Sequence, residues 1–399
     1  MKQFEVVIVG GGPAGISTAL FLAHQRPDLT DRIAVLEKAK YPREKFCAGG
    51  VGARADKLLK SIDVTVEVPS VPFHGIAFRC GEGQLIGREP DIGRVVRRKQ
   101  FDHELARQAR ARGVSILEGC ALGAFWRTHD GFELETSEGR LRARVLVGAD
   151  GVGSVVRKRL GFVATRYLAQ ALELDTEHVD GDLPRDLILF DVTRRELPGY
   201  YWDFPTLVDG REMMCRGVYL LKKGGEPSPV DIQAVLADEL AARGLKLRDY
   251  RQKRFAERGF EPHRAISGDR VLLVGEAAGI DPVSGEGIAQ AIQYGATAGE
   301  YLGQRLASGE LGFEDWPVAV RASSVGRDLR VRTAGVDLFY GPRRPTIERF
   351  VLRHPEFLQV GMRHFGGKRW GTETVLRAAR GAIWHTTKAL LGADDVERS

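Results

Sequence analysis

Apolar positions over residues 4–9 predict a buried strand, and the pattern over 14–24 predicts the helix that follows it. Residues 32–36 read as a second strand, and a loop, 39–50, then leads into a short helix at 52–62. Strand-like pieces near 73–79 and 84–87 precede a helix over 99–112, where Phe101, Leu105 and Ala109 recur at spacings near four. A strand is predicted at 114–117. Alternating runs at 122–128 and 132–136, joined through His129, Asp130 and Gly131, predict a hairpin, and 145–148 a buried parallel strand. Strands then dominate, at 168–174, 187–192, 200–204 and 213–219, followed by a helix at 230–243. Further on come a short buried strand at 271–274, a long helix rich in small residues at 286–306, and mostly helix from Phe313 onward.

This order predicts an α/β protein with a Rossmann-like, three-layer nucleotide-binding domain assembled from residues 1–70, 95–165 and 265–310. A β-sheet-rich substrate domain, 71–94 and 166–264, is inserted into it, and 311–399 form a helical C-terminal region. Such discontinuity is expected when a ligand sits between domains.

Three glycine-rich stretches carry the candidate chemistry. Gly10–Gly11–Gly12–Pro13–Ala14–Gly15 lies between a predicted strand and helix, the context in which G-x-G-x-x-G binds a dinucleotide. Gly10 permits the tight turn, Gly12 lets backbone approach a pyrophosphate at the helix N-terminus, and Gly15 lets helix pack on strand. Glu37 ends the second strand about 22 residues beyond Gly15, where a carboxylate can bind ribose hydroxyls. In the second stretch, Gly148–Ala149–Asp150–Gly151, Asp150 can order a ligand-facing loop, and Arg157 follows in a helix beginning near Gly153. Asp150 can equally cap that helix with no ligand present; taken alone, this segment favours the cap.

The third stretch runs from Gly268 to Ile288. Here Gly275 and Glu276 follow a buried strand amid small residues, so a ligand chain can lie against backbone while Glu276 accepts from its hydroxyls. Asp281–Pro282–Val283–Ser284–Gly285–Glu286–Gly287–Ile288 then opens the long helix with free N–H groups and a partial positive charge. Beneath a flavin's pyrimidine edge, that terminus would stabilise the anionic reduced ring.

Composition bounds the picture. With 43% hydrophobic and 28% charged residues, the chain reads as an ordinary soluble globular protein. Cys47, Cys80, Cys120 and Cys215 show no metal-ligand spacing, so a reducing, cytoplasmic setting and no metal are expected. Met1–Lys2–Gln3 runs straight into the first strand, and neither a secretory leader nor a membrane span is expected. The net charge of +6 is uneven: residues 321–388 hold 14 Lys/Arg against 5 Asp/Glu. Solvated helix faces account for this tail most simply. It also suits a diphosphate, or peripheral contact with anionic lipid at the inner face of a membrane. No nucleic-acid module accompanies the charge, so nucleic acid is not an expected partner.

Together, GGGPAG with Glu37, the segment from Arg98 to Asp102, GADG with Ser154 and Arg157, and GEAAG with the GEGI run resemble the FAD-binding set of the para-hydroxybenzoate hydroxylase-type flavoproteins. Residues 41–51, YPREKFCAGGV, and 199–205, GYYWDFP, are similar to the geranylgeranyl reductase family within that superfamily. The resemblance covers about residues 1–310. It implies that Ala14 and Gly15 meet the FAD pyrophosphate and Glu37 the adenosine ribose. It implies further that Arg43 and Arg98 meet the phosphate or ribityl part, that Glu276 lies against the ribityl chain where the family more often has Asp, and that Gly287 and Ile288 lie beside the isoalloxazine. Leu122, Asp150, Gly275 and Gly285 join the cofactor contacts on the same ground. Cys47–Ala48–Gly49–Gly50 would face the flavin from the substrate side; the family's usual run is Cys-Gly-Gly-Gly, so Ala48 departs from it.

Cys47 is either a buried small hydrophobe or a group that touches substrate and donates a proton, its pKa lowered by Arg43 and Lys45. Tyr200 and Trp202 are expected as pocket wall. The resemblance implies reduction of isoprenoid double bonds, with a prenyl lipid as substrate and NAD(P)H or reduced ferredoxin as electron source. The alternatives are an FAD-dependent aromatic or polyketide monooxygenase and, behind it, a flavin halogenase, whose Trp-x-Trp-x-Ile-Pro stretch is not matched at 200–205. A flavin-bound lipid carrier is the non-enzymatic alternative.

Overall fold

The computed structural model describes residues 1–162, 165–224 and 228–369. Its first sheet centres on the buried strand Lys2–Val9, which pairs in parallel with Ile33–Glu37 on one side and Gly139–Gly148 on the other. Ser115–Glu118 extends the sheet beyond Ile33–Glu37, and Val271–Leu273 beyond Gly139–Gly148. The chain thus leaves its first strand in one direction and returns on the other side. This is a topological switch point, and the crevice at the strands' carboxyl ends is where such sheets bind ligands. The predicted hairpin forms as Leu122–Arg127 and Phe132–Thr136 and joins the sheet through Gly139–Gly148.

Helix Pro13–Gln25 lies on this sheet and packs along the long helix Ile288–Ser308. The small residues of the long helix explain the contact. A Cβ on Gly295 would lie 2.4 Å from Ser17 Cβ, and one on Gly299 2.5 Å from Phe21 Cβ, so only glycine lets the backbones come this close.

The second sheet has eight strands, in the order Lys253–Arg258, Tyr167–Thr176, Arg211–Lys223, Gly199–Val208, Leu187–Asp191, Ser70–Cys80, Gly83–Val96 and Gly50–Gly52. Three of these depart from the sequence reading, the first being Gly50–Gly52, which falls where a loop was expected to run into a helix. Residues 84–87 are only the start of a strand that runs to Val96; pairing jumps from Gly75↔Arg88 to Phe73↔Gly93, and Pro90, which has no N–H to give a ladder, falls in the skipped stretch. Lys253–Arg258 was not foreseen as a strand and pairs with 168–173. Helix Ile232–Ala241 covers one face of this sheet through Val235, Leu236 and Leu240. The other face meets the C-terminal helices Ser324–Phe339, Arg344–Arg353 and Pro355–Phe365 through Phe73, Val336 and Met362.

Candidate active site

At the nucleotide end, local backbone demands dictate the sequence. Gly10 has φ +110°, and a Cβ there would lie 2.3 Å from the Ala149 carbonyl oxygen; one on Gly15 would lie 1.9 Å from that of Gly10. Over Gly12 the space is open, the nearest atom to a Cβ being Arg98 Nη2 at 4.0 Å. Gly12 is also the N-cap of helix Pro13–Gln25 and gives it no side-chain cap, leaving N–H groups for an anion. Ala14 sits against Gly275, whose Cβ position is 2.5 Å from Ala14 Cβ.

Glu37 is buried and accepts from the N–H groups of Gly11 and Ala39 at 3.2 and 3.0 Å. Arg43 Nε lies 2.9 Å from its Oε2. Asp102, fully buried, gathers both predicted arginines: Arg43 Nη1 at 3.0 Å, and Arg98 in a bidentate pair at 2.7 and 2.8 Å. Arg43 and Arg98 are thus anchored by a carboxylate that the sequence reading gave no role, and the Tyr41 hydroxyl donates to the Gly11 carbonyl beside them. Leu122 opens the hairpin with its side chain buried in the first core.

Of the two roles open to Asp150, the fold fills the cap. Its carboxylate accepts from Val155 N at 2.6 Å, Val156 N at 3.2 Å and Ser154 Oγ at 2.5 Å, so both oxygens serve the short helix Val155–Arg159. Ser154 completes the cap through Arg157 N. Glu276 differs. Its Oε1 is buried with no hydrogen-bond partner, and burial raises its pKa against the pull of Lys45 and Arg98. The long helix begins at Ile288, two residues later than read, with Gly287 as an N-cap that offers no side-chain bond. Gly285, at φ +65°, makes the turn before it.

Beyond these loops lies a cavity of about 820 Å³. Cys47, Ala48, Gly49 and Gly50 line it together with Ser284–Ile288, so the two flavin-side segments meet in one place. Its walls are the second sheet, through Tyr200, Trp202, Phe204 and Tyr219, and the C-terminal helices, through Tyr340, Leu358 and Phe365. Trp202 packs its ring on Gly217 and holds a buried indole N–H with no partner. Val331 and Phe357 line the cavity yet are 73% and 38% exposed, so the cavity opens to solvent between their helices.

The expected lowering of the Cys47 pKa by Arg43 and Lys45 does not occur. Arg43 turns to Glu37 and Asp102, and Lys45 lies over the Phe255 ring; neither activates the thiol. Burial pushes the Cys47 pKa up, with Arg98 the opposing cation. Its N–H donates to Glu173 Oε1 at 3.0 Å. Glu173 is itself a buried carboxyl, which burial pushes up to about 7.

Three tyrosines hold the loop before the long helix. Tyr200 donates to the Ser284 carbonyl at 2.6 Å, Tyr219 to that of Pro282 at 3.1 Å, and Tyr340 to that of Val283. From helix Ser324–Phe339, Arg332 reaches Asp281 at 2.6 Å, Glu286 at 2.7 Å and Asp328 at 2.9 Å, while Arg54 bridges Glu286 and Asp328 at 2.7 and 3.2 Å. The C-terminal basic residues are therefore not one solvated face. Arg344, within this basic tail, is only 5% exposed; it pairs with Glu348 and donates to the carbonyls of Val192 and Leu197. Arg377, Arg380 and Lys388 of the basic tail lie outside the described residues. Among the described residues no helix is long and apolar enough to cross a membrane.

The family model described as FAD binding domain matches residues 3–310. A digeranylgeranylglycerophospholipid reductase of Methanopyrus kandleri is 28% identical over 328 residues, 76% of this chain and 78% of that protein. A menaquinone reductase of Mycobacterium tuberculosis is 26% identical over 389 residues, 90% of each chain. Two solved structures share the fold at 18% identity. A geranylgeranyl bacteriochlorophyll reductase-like protein of Thermoplasma acidophilum gives a TM-score of 0.67 over 95% of this chain and 96% of that one. A probable FAD-dependent monooxygenase of Pseudomonas aeruginosa gives 0.64 over 86% and 98%. With the family model spanning all three glycine-rich stretches and the strands that present them, the chain belongs to the FAD binding domain family of oxidoreductases.

Proposed function

We propose that this protein reduces carbon–carbon double bonds of an isoprenoid chain, with FAD as hydride source and NAD(P)H or reduced ferredoxin as electron donor. The observation that carries the reading is the aromatic and aliphatic cavity of about 820 Å³, which joins the flavin-side loops to an opening between C-terminal helices. An elongated apolar chain suits such a wall, and burying it there excludes water from the reacting end. The names of the two relatives concern molecules with isoprenoid chains, a digeranylgeranyl glycerophospholipid and menaquinone, and support the same substrate class.

FAD fits the residues present. The open space over Gly12, the uncapped helix start and the orphaned Glu276 oxygen each match a part of the cofactor. Ala14 and Gly15 would take the pyrophosphate, Glu37 the ribose and Glu276 the ribityl chain, with Gly287 and Ile288 beside the ring. When bound, FAD supplies hydride to the double bond. Tyr200, Tyr219 and Tyr340 fix the loop against which the ring would rest, and Trp202 offers an N–H to the cavity. At the mouth, exposed Val331 and Phe357 with Arg327 suit a lipid surface, from which a prenyl chain would enter.

The test is anaerobic turnover. Dithionite-reduced holoprotein is mixed with geranylgeranyl diphosphate and a crude polyprenyl-lipid extract, and products are followed by mass spectrometry. Mass gains in steps of two hydrogens, with flavin reoxidising in parallel, support the reading. Flavin that stays reduced until air is admitted overturns it in favour of an oxygen-dependent hydroxylase.

A further inference from the structure

Strand Lys253–Arg258 brings an acid to the junction of cavity and flavin-side loops. Glu257 lines the cavity, and its Oε2 is buried with no hydrogen-bond partner. A Cβ on Gly285 would lie 2.8 Å from that oxygen, so the carboxyl rests against the turn that precedes the long helix. Titratable groups face it from every surrounding element: Glu276 and Asp281 from the 274–287 segment, Lys45 and Cys47 from the loop after the second strand, and Glu173, Tyr200 and Tyr219 from the second sheet. The two tyrosine hydroxyls already donate to loop carbonyls. Lys45 is the one cation among the main influences on Glu257, against three carboxyls. Burial first, and Glu276 next, push the Glu257 carboxyl up to about 8, so it holds its proton at neutral pH.

We propose that Glu257 is the general acid of this reaction and gives its carboxyl proton to the double-bond carbon that does not receive hydride. The inference rests on the reductase reading above. In the step, the π bond of the alkene breaks and two C–H bonds form, one with the hydride pair from reduced FAD and the other with the Glu257 proton. The alkene gains two electrons and two hydrogens. Glu257 is left as a carboxylate beside Lys45 until solvent returns a proton.

Glu257→Gln keeps the shape and removes the acid. In the holoprotein it is expected to retain FAD and a bound prenyl chain, yet to slow anaerobic single-turnover reduction roughly 10²–10⁴-fold at neutral pH. Glu257→Asp, a shorter acid, should recover part of the rate. Wild-type turnover should fall as pH rises through about 8, the value to which this carboxyl is pushed, and the Gln variant should lose that limb. A readout independent of turnover is the infrared carbonyl band of protonated carboxyls near neutral pH, which should lose one component in Glu257→Gln and keep that of Glu173. If wild type turns over and Glu257→Gln matches its rate, or the band is unchanged, Glu257 is not the acid while the reductase reading stands. If wild type reduces no prenyl chain, both fall.

Discussion

The two ends of the site are built on opposite principles. At the nucleotide end the polar groups are matched: Glu37, Arg43, Asp102 and Arg98 form a closed set of ion pairs and backbone hydrogen bonds around glycines that admit no side chain. Where the flavin-side loops meet the cavity, Glu257 Oε2, Glu276 Oε1 and Trp202 Nε1 are, among the described residues, buried without a hydrogen-bond partner. A buried polar group left unpaired costs about 1–3 kcal/mol, so orphans gathered in one place mark where ligand completes the structure. The first end is shaped by the fold and the second by what it binds.

The largest expected effect lies where the C-terminal helices join the two ends. Arg332→Met would leave Asp281, Glu286 and Asp328 facing one another with Arg54 and His364 as their remaining basic neighbours, a loss of about 3–5 kcal/mol as for other broken buried pairs. Thermal or urea unfolding of the variant should show it. A next step down is Gly10→Ala. The strained backbone costs about 1–3 kcal/mol, and the protein should purify without the yellow of bound flavin. Retained FAD would break the account of the nucleotide end.

Buried carboxyls in this region also predict a pH dependence. Burial raises the carboxyls of Glu173 and Glu257 to about 7 and 8, above their unfolded values, so the folded state binds more protons than the unfolded one between roughly pH 4.5 and 8. Each therefore costs stability progressively as pH rises through that window. Glu173→Gln should raise stability at pH 8 relative to pH 5, read as a smaller difference between the two urea midpoints. The smallest effect is at the mouth. Val331→Ser with Phe357→Ser should change stability by less than ~0.5 kcal/mol each, as exposed positions do. Delivery of prenyl substrate from vesicles should nonetheless slow; an unchanged rate would place the entrance elsewhere.

The contrast also explains what was legible in sequence. Gly10, Gly12, Gly15 and Glu37 could be read because their demands are local, set by one turn, one helix start and one neighbouring strand. Asp150 was read with two roles open, and the helix after it took the carboxylate. Glu173 and Arg332 carried no local signal, since each owes its role to partners far along the chain, and Asp102, visible beside Arg98 four residues earlier, hid its second partner, Arg43. Glu257 lay in an unforeseen strand, although the alternation of Phe255 and Glu257 toward one face was a usable clue. The cavity needed helices beyond residue 310, where charge had pointed to a surface. Arg344 shows the physical reason: a guanidinium buried against carbonyls looks, in sequence, like one in water.

The central claim is that reduced flavin here meets an unsaturated prenyl chain. Stopped-flow absorbance of the anaerobically reduced holoprotein, mixed in parallel with geranylgeranyl and fully saturated phytanyl forms of one lipid, tests it most directly. The account predicts that flavin is oxidised by the unsaturated lipid alone and at a rate that saturates with its concentration. Flavin that stays reduced with both lipids, and oxidises only when oxygen is added, would contradict it.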